Sequence, residues 1–160
     1  MIQGLHHNAY RCRDSEETRK FFEDFLELRL AGALEIDETM TGRKARVLHT
    51  FYEMGDGSYL AFFEAPDQPF EFKKQHDFDL HIALEVDMDT LQRMFERGNA
   101  LNIETRGITD HGFLNSIYFR DPNGYVIELT AKTADHDARM DPDKNNARQI
   151  LDSWQSSKSA

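Results

Sequence analysis

Polar and apolar positions alternate cleanly between residues 115 and 130, on either side of a four-residue break. Ser116, Tyr118 and Arg120 fall on one face and Ile117 and Phe119 on the other. Asp121-Pro122-Asn123-Gly124 then breaks the pattern, with Pro122 pre-setting φ and Asn123-Gly124 tolerating positive φ. After the break, Val126 and Glu128 alternate with Ile127 and Leu129. The pattern predicts a β-hairpin. It also sets a problem, because a carboxylate at Glu128 inside an apolar strand is costly to bury unless it is paired or bound to a metal.

The rest of the chain is patterned in a similar way. Leu5 to Arg13 suits a strand, with His7, Ala9 and Arg11 on one face and His6, Asn8, Tyr10 and Cys12 on the other. Asp14 followed by Glu17 has the spacing of a capping box, opening a helix whose core stripe is Phe21, Phe22, Phe25 and Leu26. Strands are predicted over residues 31–36, 46–54 and 59–63, with a loop over 37–44 and a hairpin turn at Asp56-Gly57. Residues 66–75 carry two prolines and read as a linker.

A second, similar run follows. Leu80, Ile82, Leu84 and Val86 form one face of a strand, and His81, Ala83 and Glu85 the other. Asp89 is placed to cap a helix carrying Leu91, Met94 and Phe95, with Gly98 at its close. Another strand over residues 103–109 leads into the hairpin. Residues 133–144 are polar, and residues 145–157 are weakly helical, with Ile150, Leu151 and Trp154 on one face.

At an offset of 74, His7 maps onto His81, Ala9 onto Ala83, Cys12 onto Val86 and Phe21 onto Phe95. Each half reads β-α-β-β-β. The expected fold is therefore α+β: two βαβββ modules forming a cupped mixed sheet around a cavity, with a C-terminal helical extension. The first module spans residues 1–66, the linker and second module 67–132, and the extension 133–160.

Composition narrows the partners. A 160-residue chain is one domain's worth, large enough for a real core. Its net charge of −10, with no basic run, argues against nucleic acid and anionic membranes. No apolar run reaches the ~18 residues of a membrane span. Cys12 is the only cysteine, and no basic-then-apolar leader opens the chain, so a reducing cytoplasm is expected.

The strand faces that should not meet the helices carry His7, His81 and Glu128. If the modules are related by a pseudo-twofold, these three converge. Two imidazoles and a carboxylate form a facial triad for a divalent metal, and such sets also occur in zinc enzymes. Against this, a strand histidine is more often a hydrogen-bonded core residue, and Glu128 alone would fit a salt bridge.

At these residues the chain resembles the vicinal oxygen chelate superfamily. That group includes glyoxalase I, fosfomycin-resistance proteins, methylmalonyl-CoA epimerase, type I extradiol dioxygenases and bleomycin-resistance proteins. The matching segments are residues 7–14, the Phe21-Phe22…Leu26 helix, residues 81–87 and residues 116–130, so the resemblance covers about residues 4 to 132. The seven-residue spacing to Asp14 marks His7 rather than His6 as the first metal position, with His81 and Glu128 as the other two. The resemblance implies one divalent ion, Fe(II) or Mn(II) first and Zn(II) or Ni(II) as options. It also implies a small-molecule substrate that chelates through vicinal oxygens, and a homodimer. In some members the two histidines of one site come from different subunits.

The sequence departs from glyoxalase I and the epimerase where their fourth ligand would stand, because that position is Ala61. The segment Thr109-Asp110-His111…Tyr118…Asp121-Pro122…Gly124…Glu128 is similar to the extradiol ring-cleavage signature. In that family the tyrosine bonds the bound catecholate and the histidine moves protons, which makes Tyr118 and His111 the candidate catalytic residues. The second active-site histidine of those enzymes has no match in Gly57-Ser58-Tyr59; His49 is the nearest substitute. Phe51, Tyr59, Phe63 and Phe113 are expected to line an aromatic cavity. The first expectation is thus an extradiol-dioxygenase-like metal enzyme. The alternatives are a glyoxalase-type lyase or isomerase and a non-catalytic, bleomycin-resistance-like binding protein. Fosfomycin resistance ranks lower, since its phosphonate needs cations and only Arg11 and Arg120 are candidates. Arg120 beside Asp121 reads as a surface ion pair.

Overall fold

A computed structural model describes residues 1–74, 76 and 78–158. Gln75, the last residue of the expected linker, lies outside the described residues. The first sheet has the order β1-β4-β3-β2, from strands β1 (His7–Cys12), β2 (Arg29–Glu38), β3 (Lys44–Glu53) and β4 (Tyr59–Glu64). Only β1 and β4 run parallel in it. The second sheet repeats the order as β5-β8-β7-β6, from β5 (His81–Glu85), β6 (Thr105–Asp110), β7 (Leu114–Arg120) and β8 (Val126–Lys132). The α+β class and the two βαβββ modules are as the sequence pattern predicts.

In the first module, helix α1 (Ser15–Arg19) continues as a π-helical stretch over Lys20–Phe25. Its wider turn is marked by the Leu26 N–H donating to the Phe21 carbonyl at 2.9 Å. Phe21, Phe22 and Phe25 are buried. The Phe22 ring lies 4.7 Å from Phe62 and 5.6 Å from Tyr52, on the sheet face opposite His7. Each such side chain contributes about 1.5–3 kcal/mol by leaving water. The capping box is only half formed. Asp14 accepts the Glu17 N–H at 2.8 Å, but the Glu17 carboxylate turns to the guanidinium of Arg13, a charge-assisted bond it prefers to the backbone amide.

In the second module the N-cap of α2 (Met88–Ala100) is Asp87, which accepts the Thr90 N–H at 2.6 Å. Asp89, the expected cap, sits in the first turn, where a carboxylate meets the positive end of the helix dipole. Gly98 does not close the helix. It is buried inside it, and a Cβ there would stand 2.6 Å from the Phe119 ring, so the glycine lets helix and sheet approach. The chain leaves the helix through Asn102, with φ at 55°.

By their contacts the residues form two compact units, Met1–Ile82 with Arg120–Ile127, and Ala83–Phe119 with Glu128–Ala160. The β7–β8 turn therefore belongs with the first unit, and its bonds show why. The Asn123 Oδ1 accepts the Arg13 N–H at 2.8 Å, its Nδ2 donates to Thr18 Oγ1 at 3.3 Å, and its carbonyl accepts the Lys73 N–H at 2.8 Å. The Tyr125 hydroxyl donates to the Arg11 carbonyl at 3.0 Å. Gly124 has φ at 95°, and a side chain there would meet the Lys73 backbone nitrogen at 2.6 Å. Asp121 is not the surface partner of Arg120. It is buried, its Oδ1 accepts the N–H groups of Asn123 and Tyr125, and Arg120 Nη1 donates to the Gly124 carbonyl at 2.8 Å. Burial pushes the Asp121 carboxyl up to about 6, against the lowering effect of those bonds.

The extension holds α3 (His136–Met140), which its polar pattern does not predict, and α4 (Ala147–Ser157). Ile150, Leu151 and Trp154 on α4 are exposed. Among the described residues no helix is long and apolar enough to cross a membrane.

Candidate metal and catalytic site

Strand alternation and register together set the free face of the first sheet. His7 pairs with Tyr59, Ala9 with Ala61 and Arg11 with Phe63 across β1 and β4. Phe51 and His49 of β3 stand opposite Ala61 and Phe63. The result is a surface of rings. His7 lies 5.6 Å from Phe51 and 6.1 Å from His49, and His49 stacks on Phe63 at 3.7 Å. Three of the four expected aromatic wall residues, Phe51, Tyr59 and Phe63, share this face. Ala61, at the fourth-ligand position, is fully buried in the middle of the row.

His49 is buried, and its Nδ1 lies 3.1 Å from the Phe62 carbonyl. A carbonyl only accepts, so Nδ1 carries the proton and a neutral ring keeps its lone pair on Nε2. His7 is exposed and its Nδ1 lies 2.8 Å from His6 Nδ1, so its Nε2 stands outside that bond. Arg11 is spent structurally: its guanidinium donates to the carbonyls of Phe63, Ala65 and Gln68 at 3.1, 2.7 and 3.1 Å. Burial pushes the Cys12 thiol up to about 11, which removes it as a thiolate ligand or nucleophile at neutral pH.

The second sheet presents a different chemistry. His111, in the β6–β7 turn, places Nε2 2.9 Å from the Tyr118 hydroxyl. Arg106, paired with Tyr118 across β6 and β7, sets its guanidinium 5.2 Å from the Tyr118 ring centre. Ser116 Oγ donates to Thr130 Oγ1 at 3.2 Å. The turn carrying His111 is braced by the extension. Thr133 donates its N–H to the Phe113 carbonyl and its hydroxyl to the Gly112 carbonyl, both at 3.1 Å, and His136 stacks over Phe113 at 6.2 Å. Phe113 is therefore engaged by the extension.

His81 begins β5 and is exposed, while Glu128 in β8 is buried, at 6% exposure. Among the described residues no group of three or more His, Cys, Asp or Glu side chains is placed to hold a metal ion. The sequence had paired His111 with Tyr118 by motif alone. It missed Arg106, for which the signal was available: a cation in the strand that pairs with β7.

Residues 4–129 match the sequence profile described as the Glyoxalase/Bleomycin resistance protein/Dioxygenase superfamily. The chain belongs to this superfamily. Within it, the chain is 26% identical over 138 residues to the metallothiol transferase FosB of Staphylococcus saprophyticus, covering 83% of this chain and 80% of that protein. Among solved structures it is similar to the fosfomycin resistance protein FosX of Listeria monocytogenes, with TM-score 0.64 and 21% identity over 85% of this chain and 98% of that one. It is similar also to a glyoxylase/bleomycin resistance protein/dioxygenase domain from Frankia sp. EAN1pec, with TM-score 0.66 and 15% identity over 83% and 100%. The Listeria protein has also been crystallised with Mn(II) and sulfate; that structure has TM-score 0.62 and 21% identity, over 85% of this chain and 98% of that one. The superfamily match ends at residue 129, so the whole extension, residues 133–160, lies beyond it.

Proposed function

We propose that this protein is a divalent-metal-dependent enzyme that opens or rearranges a small substrate held through two neighbouring oxygens. Its chemistry is nearer to the fosfomycin-resistance relatives than to the extradiol dioxygenases. The observation that carries this reading is the Tyr118 hydroxyl, 2.9 Å from His111 Nε2 with the Arg106 guanidinium over its ring. A phenol bonded to an imidazole is equipped to deliver or take up a proton at a substrate oxygen. The cation beside them favours negative charge developing on that oxygen as a C–O bond opens. Arg106 also supplies the cation that the sequence had sought in Arg11 and Arg120.

His7, His81 and Glu128 would hold the metal. The donor set suits Mn(II), Fe(II) or Zn(II), and Glu128 is the kind of buried carboxylate that a cation stabilises. The bound ion would act as Lewis acid and template for the substrate's oxygens. In some superfamily members the two histidines of one site come from different subunits, and the set would be completed in that way here if the protein is a homodimer. The test is Mn(II)-loaded protein given fosfomycin with water or a thiol, followed by phosphorus NMR, with a catechol panel on Fe(II)-loaded protein alongside. Ring-opened product, lost in Tyr118→Phe, is the expected outcome.

One observation favours a second reading, extradiol cleavage. The rings of Phe51, Tyr59, Phe63 and His49 around His7 suit an aromatic substrate. A yellow ring-fission product from the catechol arm, with fosfomycin untouched, would decide for it.

A further inference from the structure

His6 precedes β1 and is the immediate neighbour of a proposed ligand, yet it is not a loose tail residue. Its ring lies 5.7 Å from Tyr59, and its carbonyl accepts the Tyr59 N–H at 2.9 Å. Both contacts tie it to β4, the strand that runs beside β1. The His6 and His7 rings meet edge to face, with centres 5.0 Å apart at 79°, and the two Nδ1 atoms are 2.8 Å apart. Two ring nitrogens share a bond only when one carries the proton and the other a lone pair.

We propose that His6 is the positioning residue for His7: it accepts the His7 Nδ1–H and so fixes the tautomer and ring plane that present His7 Nε2 to a divalent metal. The inference rests on the reading of His7 as a ligand. The physical basis is general. A ligating imidazole donates its other N–H to a partner, which orients the ring and raises its basicity. On its own face His7 has Phe51, which offers no acceptor, and His49, whose ring centre lies 6.1 Å away; the contact at hydrogen-bond distance from His7 Nδ1 is His6 Nδ1, at 2.8 Å. His6 fills the role with a neutral imidazole. Its own proton then sits on Nε2, away from the shared bond. Side chains alternate along β1, so a residue on the far face reaches His7 only by turning back around the strand's beginning; His6 does so because it precedes the first paired residue.

The test is a competition titration of Zn(II) and Mn(II) against a chelating dye, on the full metal-free chain, with three variants. His7→Ala removes the ligand and abolishes binding at this site. His6→Phe keeps a ring against Tyr59 but removes the acceptor, and weakens binding roughly 10–100-fold, the range for an outer-shell partner. His6→Asn supplies an oxygen acceptor without the ring and stays near wild type. Thermal melts of the two His6 variants should match the wild type, since the side chain is exposed. If His6→Phe binds as well as wild type while His7→Ala does not, the inference falls and the ligand assignment stands. If His6→Asn is as weak as His6→Phe, the ring and not the acceptor matters, and the inference also falls. Wild-type protein that takes up no metal, or His7→Ala binding like wild type, overturns the ligand assignment and this inference with it.

Discussion

The two sheets share one strand order and differ in what they show on their free faces. The first presents rings: His7, His49, Phe51, Tyr59 and Phe63. The second presents groups that move or stabilise charge, with Tyr118 joined to His111 and Arg106, and Ser116 joined to Thr130. A duplicated module keeps its backbone plan because the helix-facing residues hold it, as Phe22 does in one half and Leu91 and Met94 in the other. The opposite positions are then free to specialise. One copy carries rings and imidazoles on that face, and the other a phenol bonded to an imidazole beside a guanidinium.

Four measurements would break or sharpen this comparison. Phe22→Ala should cost the most, about 3–5 kcal/mol by denaturant unfolding, with Leu91→Ala close behind at roughly 2–5 kcal/mol. A small effect from either would mean that the matched cores are not what preserves the shared plan. Tyr118→Phe should lower kcat by roughly 10²–10³ with the melting temperature unchanged, as expected for one lost oxyanion donor. Phe63→Leu on the ring-lined face should act mainly on KM. Equal losses of kcat from both would erase the division of labour.

Gly98→Ala should destabilise by roughly 1–3 kcal/mol, because the new methyl must displace Thr105 or Phe119. Its counterpart at the 74-residue offset is Asp24, an exposed residue bonded to Arg19, where alanine should hardly register. The smallest effect concerns pH. The Asp121 carboxyl is raised from 3.8 to about 6 by burial, so the folded chain binds its proton more tightly than the unfolded chain. That contribution is complete below pH 3.8 and is lost as pH rises through about 6. Asp121→Asn should carry a constant offset and lack this decline, seen in melts recorded between pH 4 and pH 7.

Much of this was legible in the chain because alternation is local. Tyr118, Glu128 and the helix phenylalanines declare their faces by period alone, and the motif from Thr109 to Glu128 brought His111 to Tyr118. What escaped was set by partners distant in sequence. Asp121 looks like a surface turn residue until residues 13, 18 and 73 close over the turn, and nothing local announces that. Gly98 looks like a helix stop, because its real reason is the space required by Phe119. Asp87 takes the cap from Asp89 because both spacings were available and only backbone geometry chooses between them. The place of Arg106 is set by Tyr118, which stands across from it in β7, and not by anything local to its own strand.

The turn at residues 121–125 has a further consequence during synthesis. Its bonds to Arg11, Arg13 and Thr18 span 105 to 114 residues. The N-terminal half thus leaves the ribosome with a gap in its own structure, which is filled only after three-quarters of the chain has been made. Until then the Tyr10 ring, the Arg11 carbonyl and the Arg13 amide wait without Tyr125 and Asn123, so the first half is not completed before the turn is made. A nascent chain stalled before residue 120 should be sensitive to protease in its first half, and one stalled well beyond residue 130 should be resistant. The first unit is thus completed by a turn that the second module carries.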